Sequence, residues 1–291
     1  KQAYYDENLY NCYPWARAVK VMNPLSSDLG VMRQTLIFGG LESIVRNVNR
    51  KARNLRFFEV GNVYHFDEEH YTTESPIKAY QQRYHLALWV TGHRVEGNWA
   101  HPDEESSFFE LKAHVENVLR RVGLQAGQVV TEASDNNIFD KGLRMKTRGG
   151  KVLVDMGIVN HHVLRRFDIE QPVYYAEIDW TELMKATRKN SLLFQELSKY
   201  PAVSRDLALL VDANVEFAQI EQIARQTEKK LLKQVVLFDV YQGKNLPEGK
   251  KSYAVNFILQ DESRTLTDKA IEAIMQKLMK NLTTKLHAEL R

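Results

Sequence analysis

Hydrophobic and polar positions along the chain fall into two regimes, each predicting its own elements. In the first, Leu36, Ile37, Leu41, Ile44, Val45 and Val48 recur at helical spacing and predict an amphipathic helix over 32–49. Gly39-Gly40 inside it is unfavourable for a helix and points to close packing against another element. Upstream, an aromatic-rich stretch ends in an expected strand over 17–22, and Asn23-Pro24-Leu25-Ser26 is a turn signal. Residues 55–64 read as a strand interrupted at Gly61-Asn62, 65–83 as a polar, mobile loop, and 84–90 as a strand. Phe108, Leu111, Val115, Val118, Leu119 and Val122 line one face of a helix over 106–122, with Gly123 as its stop. Strands follow at 128–132, 143–147, 151–159 and 172–179. Arg148-Gly149-Gly150 serves as a hairpin turn, which makes the sheet antiparallel. The segment 183–196 reads as a linker.

Beyond Tyr200-Pro201 the pattern becomes strand 204–212, helix 217–232, strand 234–241, strand 251–260, helix 267–286 and a last short strand within 287–291. That order, β-α-β-β-α-β, is the ferredoxin-like unit, with two helices on one face of a four-stranded sheet and the other face open. Open faces of this kind often read single-stranded RNA, although topology alone does not fix function. The expectation is therefore an α+β chain of two domains, 1–194 and 195–291.

Composition adds bounds. The chain has 291 residues, 44% hydrophobic and 26% charged, which suits two globular domains. No apolar run approaches a membrane span, so no membrane partner is expected. Cys12 is the only cysteine, which leaves no internal disulfide or cysteine metal cluster and fits a reducing cytoplasm. The net charge of +3 is spread thinly: from Gln195 onward there are 15 Lys and Arg against 13 Asp and Glu. Such a balance permits a nucleic-acid partner without arguing for one. The chain begins at Lys1 rather than Met, and the expectation is a piece of a longer protein.

Candidate chemistry is sparse in the first regime. Arg46, Arg50, Lys51, Arg53 and Arg56 form a basic run that suits a solvated helix end as well as an RNA or subunit contact. His65, His85, His93 and His101 have no metal-ligand or triad spacing and read as structural or surface residues. His161-His162 reads as a turn before a short helix over 163–167, and no metal site is expected. Arg148-Gly149-Gly150-Lys151 lacks the remainder of a phosphate loop.

In the second regime, strand alternation puts Tyr253, Val255, Phe257 and Leu259 beneath the helices and Ser252, Ala254, Asn256 and Ile258 on the open face. Phe238, Tyr241 and Phe257 are either stacking platforms or core. Lys244, Lys250 and Lys251 flank the loop before the third strand, and Arg264 follows that strand. The candidate RNA contacts are Lys244, Lys250, Lys251, Ser252, Asn256 and Arg264. Arg205 and Asp206 are expected to pair, and Thr265 with Asp268 to form a capping box.

Particular strings carry a resemblance. "YPAVSRDLALLVD", "LFDVYQGKNLPEGKKSYAVNFILQDESRTLTD" and "HAELR" resemble the ferredoxin-fold anticodon-binding domain that ends bacterial phenylalanyl-tRNA synthetase beta subunits. "NPLSSDLGVMRQTLIFGGLESIVRNVNRKARNLRFFEVGNVYHF" and "VDMGIVNHHVLRRFDIEQPVYYAEIDW" are similar to the start and end of that subunit's class II synthetase-like domain, with His162 where the family usually has Pro.

Catalytic class II relatives place one arginine after a Val-Tyr pair closing a strand and a second in a Gly-x-Gly-x-x-Arg run, both set against developing negative charge. Here Val63-Tyr64 is followed by His65 and Phe66, and 173–184 reads "VYYAEIDWTELM", without glycine or arginine. The resemblance thus implies no catalytic residue and no cofactor in this piece, with ATP and Mg2+ used by the whole enzyme. It implies a scaffold packed against a catalytic alpha subunit in an (αβ)2 heterotetramer, tRNA(Phe) as the second partner, and helix 32–49 as the interface motif. Editing and metal sites are expected upstream of Lys1. The competing readings are a self-contained ATP-dependent ligase with unusual catalytic residues and a free-standing RNA-binding accessory protein.

Overall fold

A computed structural model describes all residues except 2–3, 6–9, 192–195 and 291. The chain divides into two compact units, Lys1–Leu192 and Leu193–Arg291.

In unit 1 the elements run α1 (Ile37–Val48), β1 (Leu55–Phe66), β2 (Tyr80–Thr91), β3 (His93–Val95), β4 (Glu104–Glu105), α2 (Phe108–Arg121), β5 (Val129–Ala133), β6 (Phe139–Thr147), β7 (Val152–Val159), α3 (His161–Arg166), β8 (Val173–Asp179) and α4 (Trp180–Thr187). Six strands form one antiparallel sheet in the order β1-β2-β8-β7-β6-β5. Alternation gives this sheet two buried faces. Ala87, Trp89, Val173 and Tyr175 point to Ile37, Phe38, Leu41 and Ile44 of α1. Leu86, Val90, Ala176 and Ile178 point to Leu111, Val115 and Leu119 of α2 and Leu183 of α4.

Gly40 has the packing role expected of it: a Cβ there would lie 2.1 Å from Trp89 Cε2. Ser107 caps α2 by accepting from the Glu110 backbone N–H, and Gly123 takes up a φ of +83° just past its end.

Several expectations are corrected. No strand runs through 17–22; Trp15–Arg17 is a 3-10 turn, and Lys20 makes only an isolated bridge with Val31. The predicted helix begins at Ile37 rather than Met32. Strand β1 passes through Gly61 without a break, pairing Gly61 with His85, because Gly61 leaves room for the Arg33 guanidinium 2.1 Å from where a Cβ would stand. The expected loop is partly ordered by 3-10 turns at Glu68–His70 and Pro76–Ala79, and β2 starts at Tyr80. His161 and His162 form the first turn of α3, capped by Asn160. Leu183, placed in the linker by pattern, is fully buried in α4. Of that linker, 192–195 lie outside the described residues.

Unit 2 runs β9 (Val203–Asp212), α5 (Phe217–Thr227), β10 (Leu232–Tyr241), β11 (Lys250–Leu259), α6 (Asp268–Leu286) and β12 (Glu289–Leu290). Its antiparallel sheet has the order β10-β11-β9-β12, the ferredoxin-like arrangement. Tyr253, Val255, Phe257 and Leu259 are buried with Ile220 and Ala224 of α5 and Leu278 and Leu282 of α6. The cap of α6 is Thr267, not Thr265; it accepts from the Ala270 backbone N–H, and no capping box forms because the residue three positions on, Ala270, has no polar side chain to reach back. Arg205 and Asp206 are successive strand residues and face apart; Arg205 reaches Asp268, while Asp206 accepts from Asn256.

Candidate nucleic-acid interface and a polar cavity

The open face of the unit 2 sheet follows from register. Ser204, Asp206, Ala208, Leu210 and Asp212 of β9 lie opposite Ile258, Asn256, Ala254, Ser252 and Lys250 of β11. On the other side of β11, Val236 pairs with Asn256, Asp239 with Ala254 and Tyr241 with Ser252, after a bulge at Phe238. The middle of this face is built of small side chains, with Tyr241 at one rim. A Cβ on Gly243 would meet the Tyr241 hydroxyl at 2.6 Å, so this glycine lets the ring lie over the start of the loop. Phe257 is fully buried and Phe238 is exposed at the bulge. Of the three aromatic candidates, Tyr241 is therefore the one registered onto the open face.

The candidate contacts separate on inspection. Asn256 is central and donates to Ser204 Oγ and the Asp206 carboxylate. Ser252 lies beside Tyr241 but is only 7% exposed. Lys244 is exposed on the loop, and Arg264 is exposed with its Nε 3.2 Å from Asp261. Lys250 is tied to Asp212 at 3.1 Å and Glu289 at 3.8 Å. Lys251 is the correction: it lies on the helix side of β11, 8% exposed, with Nζ 4.8 Å from the Tyr253 ring centre. Period-2 alternation sends it there with Tyr253, so it does not reach a phosphate on the open face. The face itself carries Asp206, Asp212, Asp239 and Glu289 against Lys250, and so presents acceptors rather than cations.

Unit 1 holds a cavity of about 420 Å³ on the α1 side of its sheet. A cross-strand row builds its floor: Arg144 of β6, Asp155 of β7 and Glu177 of β8 are in register, and His85 of β2 pairs with Asp179. Glu177 accepts from Thr35 Oγ1, Tyr175 Oη, the Leu36 backbone N–H and His85 Nδ1 at 2.8 Å. Burial opposes its charge, but these donors hold the Glu177 carboxyl below its ordinary range; burial also opposes a charge on His85, yet the Glu177 and Asp179 carboxylates raise the imidazole above its ordinary value. Asp179 engages Arg83 at 3.1 Å, Asp155 engages Arg144 at 2.8 Å, and Glu182 engages Lys185 at 2.8 Å.

His65, which follows Val63-Tyr64 at the end of β1, also lines this cavity. Burial first, then His85, Arg17 and Arg83, lower its pKa to about 4, so it is neutral at pH 7. Reading His65 and His85 as structural or surface histidines without metal-ligand or triad spacing did not bring out this cavity. The available signal was Glu177 and Asp179, two acids at i and i+2 in the otherwise apolar strand Val173–Asp179. Among the described residues, no group of three or more His, Cys, Asp or Glu is arranged to hold a metal ion, and no helix is long and apolar enough to cross a membrane.

A six-stranded antiparallel sheet with a helix on each side, followed by an open-faced ferredoxin-like unit, defines the class: a component of an aminoacyl-tRNA synthetase. Residues 2–180 match the family model described as the phenylalanyl tRNA synthetase beta chain CLM domain, and 198–291 match the ferredoxin-fold anticodon binding domain. The chain belongs to the phenylalanyl-tRNA synthetase beta chain family.

Its relatives include the phenylalanine–tRNA ligase beta subunits of Bacteroides thetaiotaomicron, 55% identical over the whole chain, and Bacteroides fragilis, 54% identical over the whole chain. That of Syntrophotalea carbinolica is 36% identical over 96% of the chain and 34% of the relative. The chain spans 35% of the length of each Bacteroides relative. A weaker structural likeness, TM-score 0.43 at 12% identity, covers 60% of this chain and 55% of the pyrrolysyl-tRNA synthetase from Desulfitobacterium hafniense.

Proposed function

We propose that this chain is the assembly and tRNA-reading portion of a phenylalanine–tRNA ligase beta subunit and does not itself form the acyl-adenylate. In this reading unit 1 is a synthetase-like scaffold for a catalytic alpha subunit in a cytoplasmic (αβ)2 enzyme, and unit 2 holds the anticodon of tRNA(Phe). The observation that carries it is the open sheet face, where Tyr241 stands beside Ser252 at the rim of a floor of small side chains. Unstacked anticodon bases lie on that floor and stack on Tyr241, their N–H edges meeting Asp206, Asp239 and Asn256 as hydrogen-bonding partners. Acidic side chains on the face repel phosphates, so the RNA backbone runs over Lys244 and Arg264 at the rim.

The cavity in unit 1 supports the non-catalytic half of the proposal. A triphosphate needs cations whose charge is available to it. Here Arg83, Arg144 and His85 are each neutralised by a carboxylate of the same chain, and neutral His65 stands where a cation is needed. The carboxylates Asp155, Glu177, Asp179 and Glu182 are likewise held by cations, which leaves a poor donor set for Mg2+. ATP and Mg2+, required by the whole enzyme's reaction, are therefore assigned to the alpha subunit. A self-contained ligase is disfavoured on the same grounds.

Titration of an anticodon stem-loop of tRNA(Phe) at two salt concentrations tests the RNA half. Tyr241→Ala is expected to cost about 1–3 kcal/mol of binding, and Lys244→Ala to weaken all stem-loops alike while lowering the salt slope by about 0.7–1. Equal binding by both variants and the unmodified chain removes the open face as the site. Phenylalanine-dependent ATP–pyrophosphate exchange by the chain alone overturns the non-catalytic half.

A further inference from the structure

Unit 1 carries an aromatic surface that neither its core nor its cavity uses. Among the described residues, its three most exposed aromatic side chains are Trp99 at 99%, Phe109 at 76% and Phe58 at 75%. Trp is highly buried on average, so one left wholly in water is an informative exception. The three border one structure, the β3–β4 hairpin that joins β2 to α2. Trp99 is at its tip, and Phe109 is in the first turn of α2, directly after it. Phe58 stands two residues from Arg56 on β1, so their side chains share a face of the sheet. Arg56 donates to the His93 carbonyl at 2.9 Å, to Ser106 Oγ at 3.2 Å and to Glu110 at 3.0 Å, which ties β1 to the hairpin base and the start of α2.

The tip is held in place by its own hydrogen bonds. Asn98 and His101 exchange both backbone bonds, at 2.9 and 3.3 Å, which makes Trp99 and Ala100 the central pair of a two-residue turn. The Asn98 side-chain oxygen accepts from the Ala100 and His101 backbone N–H groups at 2.9 and 3.2 Å, and Asp103 accepts from the Gly97 N–H. Asn54, just before β1, donates to Glu96 and fastens the hairpin to the sheet. A rigid mount therefore presents a large apolar side chain with only two torsions, and little freedom is lost when it is covered. Charge decides what can cover it. Residues 93–105 hold Glu96, Asp103, Glu104 and Glu105 against Arg94, a net charge of −3 with histidine neutral. An indole can stack on a base, but this ring of carboxylates repels the phosphates that come with it. The surface that fits is protein, an apolar slot rimmed by Lys and Arg.

We propose that the β3–β4 hairpin is a docking arm for the alpha subunit, with Trp99 seated in an apolar slot of that chain and the hairpin carboxylates facing basic residues around the slot. This rests on the reading of unit 1 as a scaffold and names the surface that does the holding. The helix expected to build that contact cannot supply it with apolar area, because α1 spends Ile37, Leu41 and Ile44 inside the core of unit 1. The hairpin and the two phenylalanines at its base keep theirs on the outside.

The test measures association of the whole 291-residue chain with the cognate phenylalanine–tRNA ligase alpha subunit, comparing Trp99→Ala, Trp99→Phe and Glu105→Lys with the unmodified chain. Trp99→Ala is expected to weaken binding at least about thirtyfold, and Trp99→Phe to recover part of the loss. Glu105→Lys is expected to slow association and to flatten its dependence on salt. All three variants should keep the urea midpoint of the unmodified chain, since the altered side chains are exposed. The anticodon stem-loop of tRNA(Phe) should bind Trp99→Ala and the unmodified chain alike. Equal alpha-subunit binding by Trp99→Ala and the unmodified chain overturns the docking arm and leaves the scaffold reading standing. Failure of the unmodified chain to bind the alpha subunit overturns both. Loss of stem-loop binding in Trp99→Ala overturns the docking arm in favour of an RNA contact.

Discussion

His65 ties the chemistry of the unit 1 cavity to a measurable stability. In the unfolded chain its imidazole titrates near the ordinary value of 6.5, whereas in the fold burial and nearby His85, Arg17 and Arg83 lower it to about 4. The folded state therefore resists a proton that the unfolded state accepts, so the contribution of His65 is fully present above pH 6.5 and is lost as pH falls toward 4. At pH 5 the unfolded imidazole is protonated and the folded one is not. The difference of about 1.5 pH units from the unfolded pKa, at about 1.4 kcal/mol per unit, destabilises unit 1 by about 2 kcal/mol.

Glu177 adds nothing in that interval, because its depressed carboxyl loses stability only below its ordinary value of 4.5. All four tryptophans, Trp15, Trp89, Trp99 and Trp180, lie in unit 1, so tryptophan fluorescence follows the unfolding of that unit alone. Urea denaturation at about pH 7 and pH 5 is compared between the unmodified chain and His65→Gln, whose amide does not titrate. The unmodified chain should lose about 2 kcal/mol more than the variant over that interval. Parallel losses in the two proteins would refute a neutral, buried His65, and with it the argument that no cation stands at this position.

Gly40→Ala should destabilise unit 1 by about 1–3 kcal/mol in the same fluorescence assay, since its Cβ would overlap the Trp89 indole. Gly39→Ala, one residue away, meets only Glu59 Oε2 at 3.8 Å and should instead be neutral or stabilise the helix by up to about 1 kcal/mol. Thr267→Ala should lower the stability of unit 2 by about 0.5–2 kcal/mol through loss of the α6 cap, read by circular dichroism of a chain in which unit 1 is already unfolded by urea or acid. Gly243→Ala should displace the Tyr241 ring and weaken stem-loop binding without lowering the melting temperature of unit 2, whereas Lys251→Met should leave the salt slope of binding unchanged.

Local pattern was enough to determine most elements of this protein. The stripe from Ile37 to Val48, the capped helix after Ser107 and the alternating strand Lys250–Leu259 each carry their periodicity in the residues themselves, because helix and strand repeats differ from one another. The order of strands and helices after Tyr200 likewise fixed a ferredoxin-like unit with one face open.

What only tertiary structure decided was how distant residues meet. Gly61 looked like a break because the sequence does not reveal the Arg33 guanidinium lying across it, 28 residues earlier in the chain. Lys251 looked like a surface cation because Lys is rarely buried, yet the pleat that buries Tyr253 and Phe257 carries its stem to the same side, over the Tyr253 ring. The polar cavity was least legible of all. His65, His85, Arg144, Asp155 and Glu177 come from five strands with no common spacing, and only the register of one sheet sets them side by side. Periodicity reports which way a side chain points; pairing across strands decides what it points at.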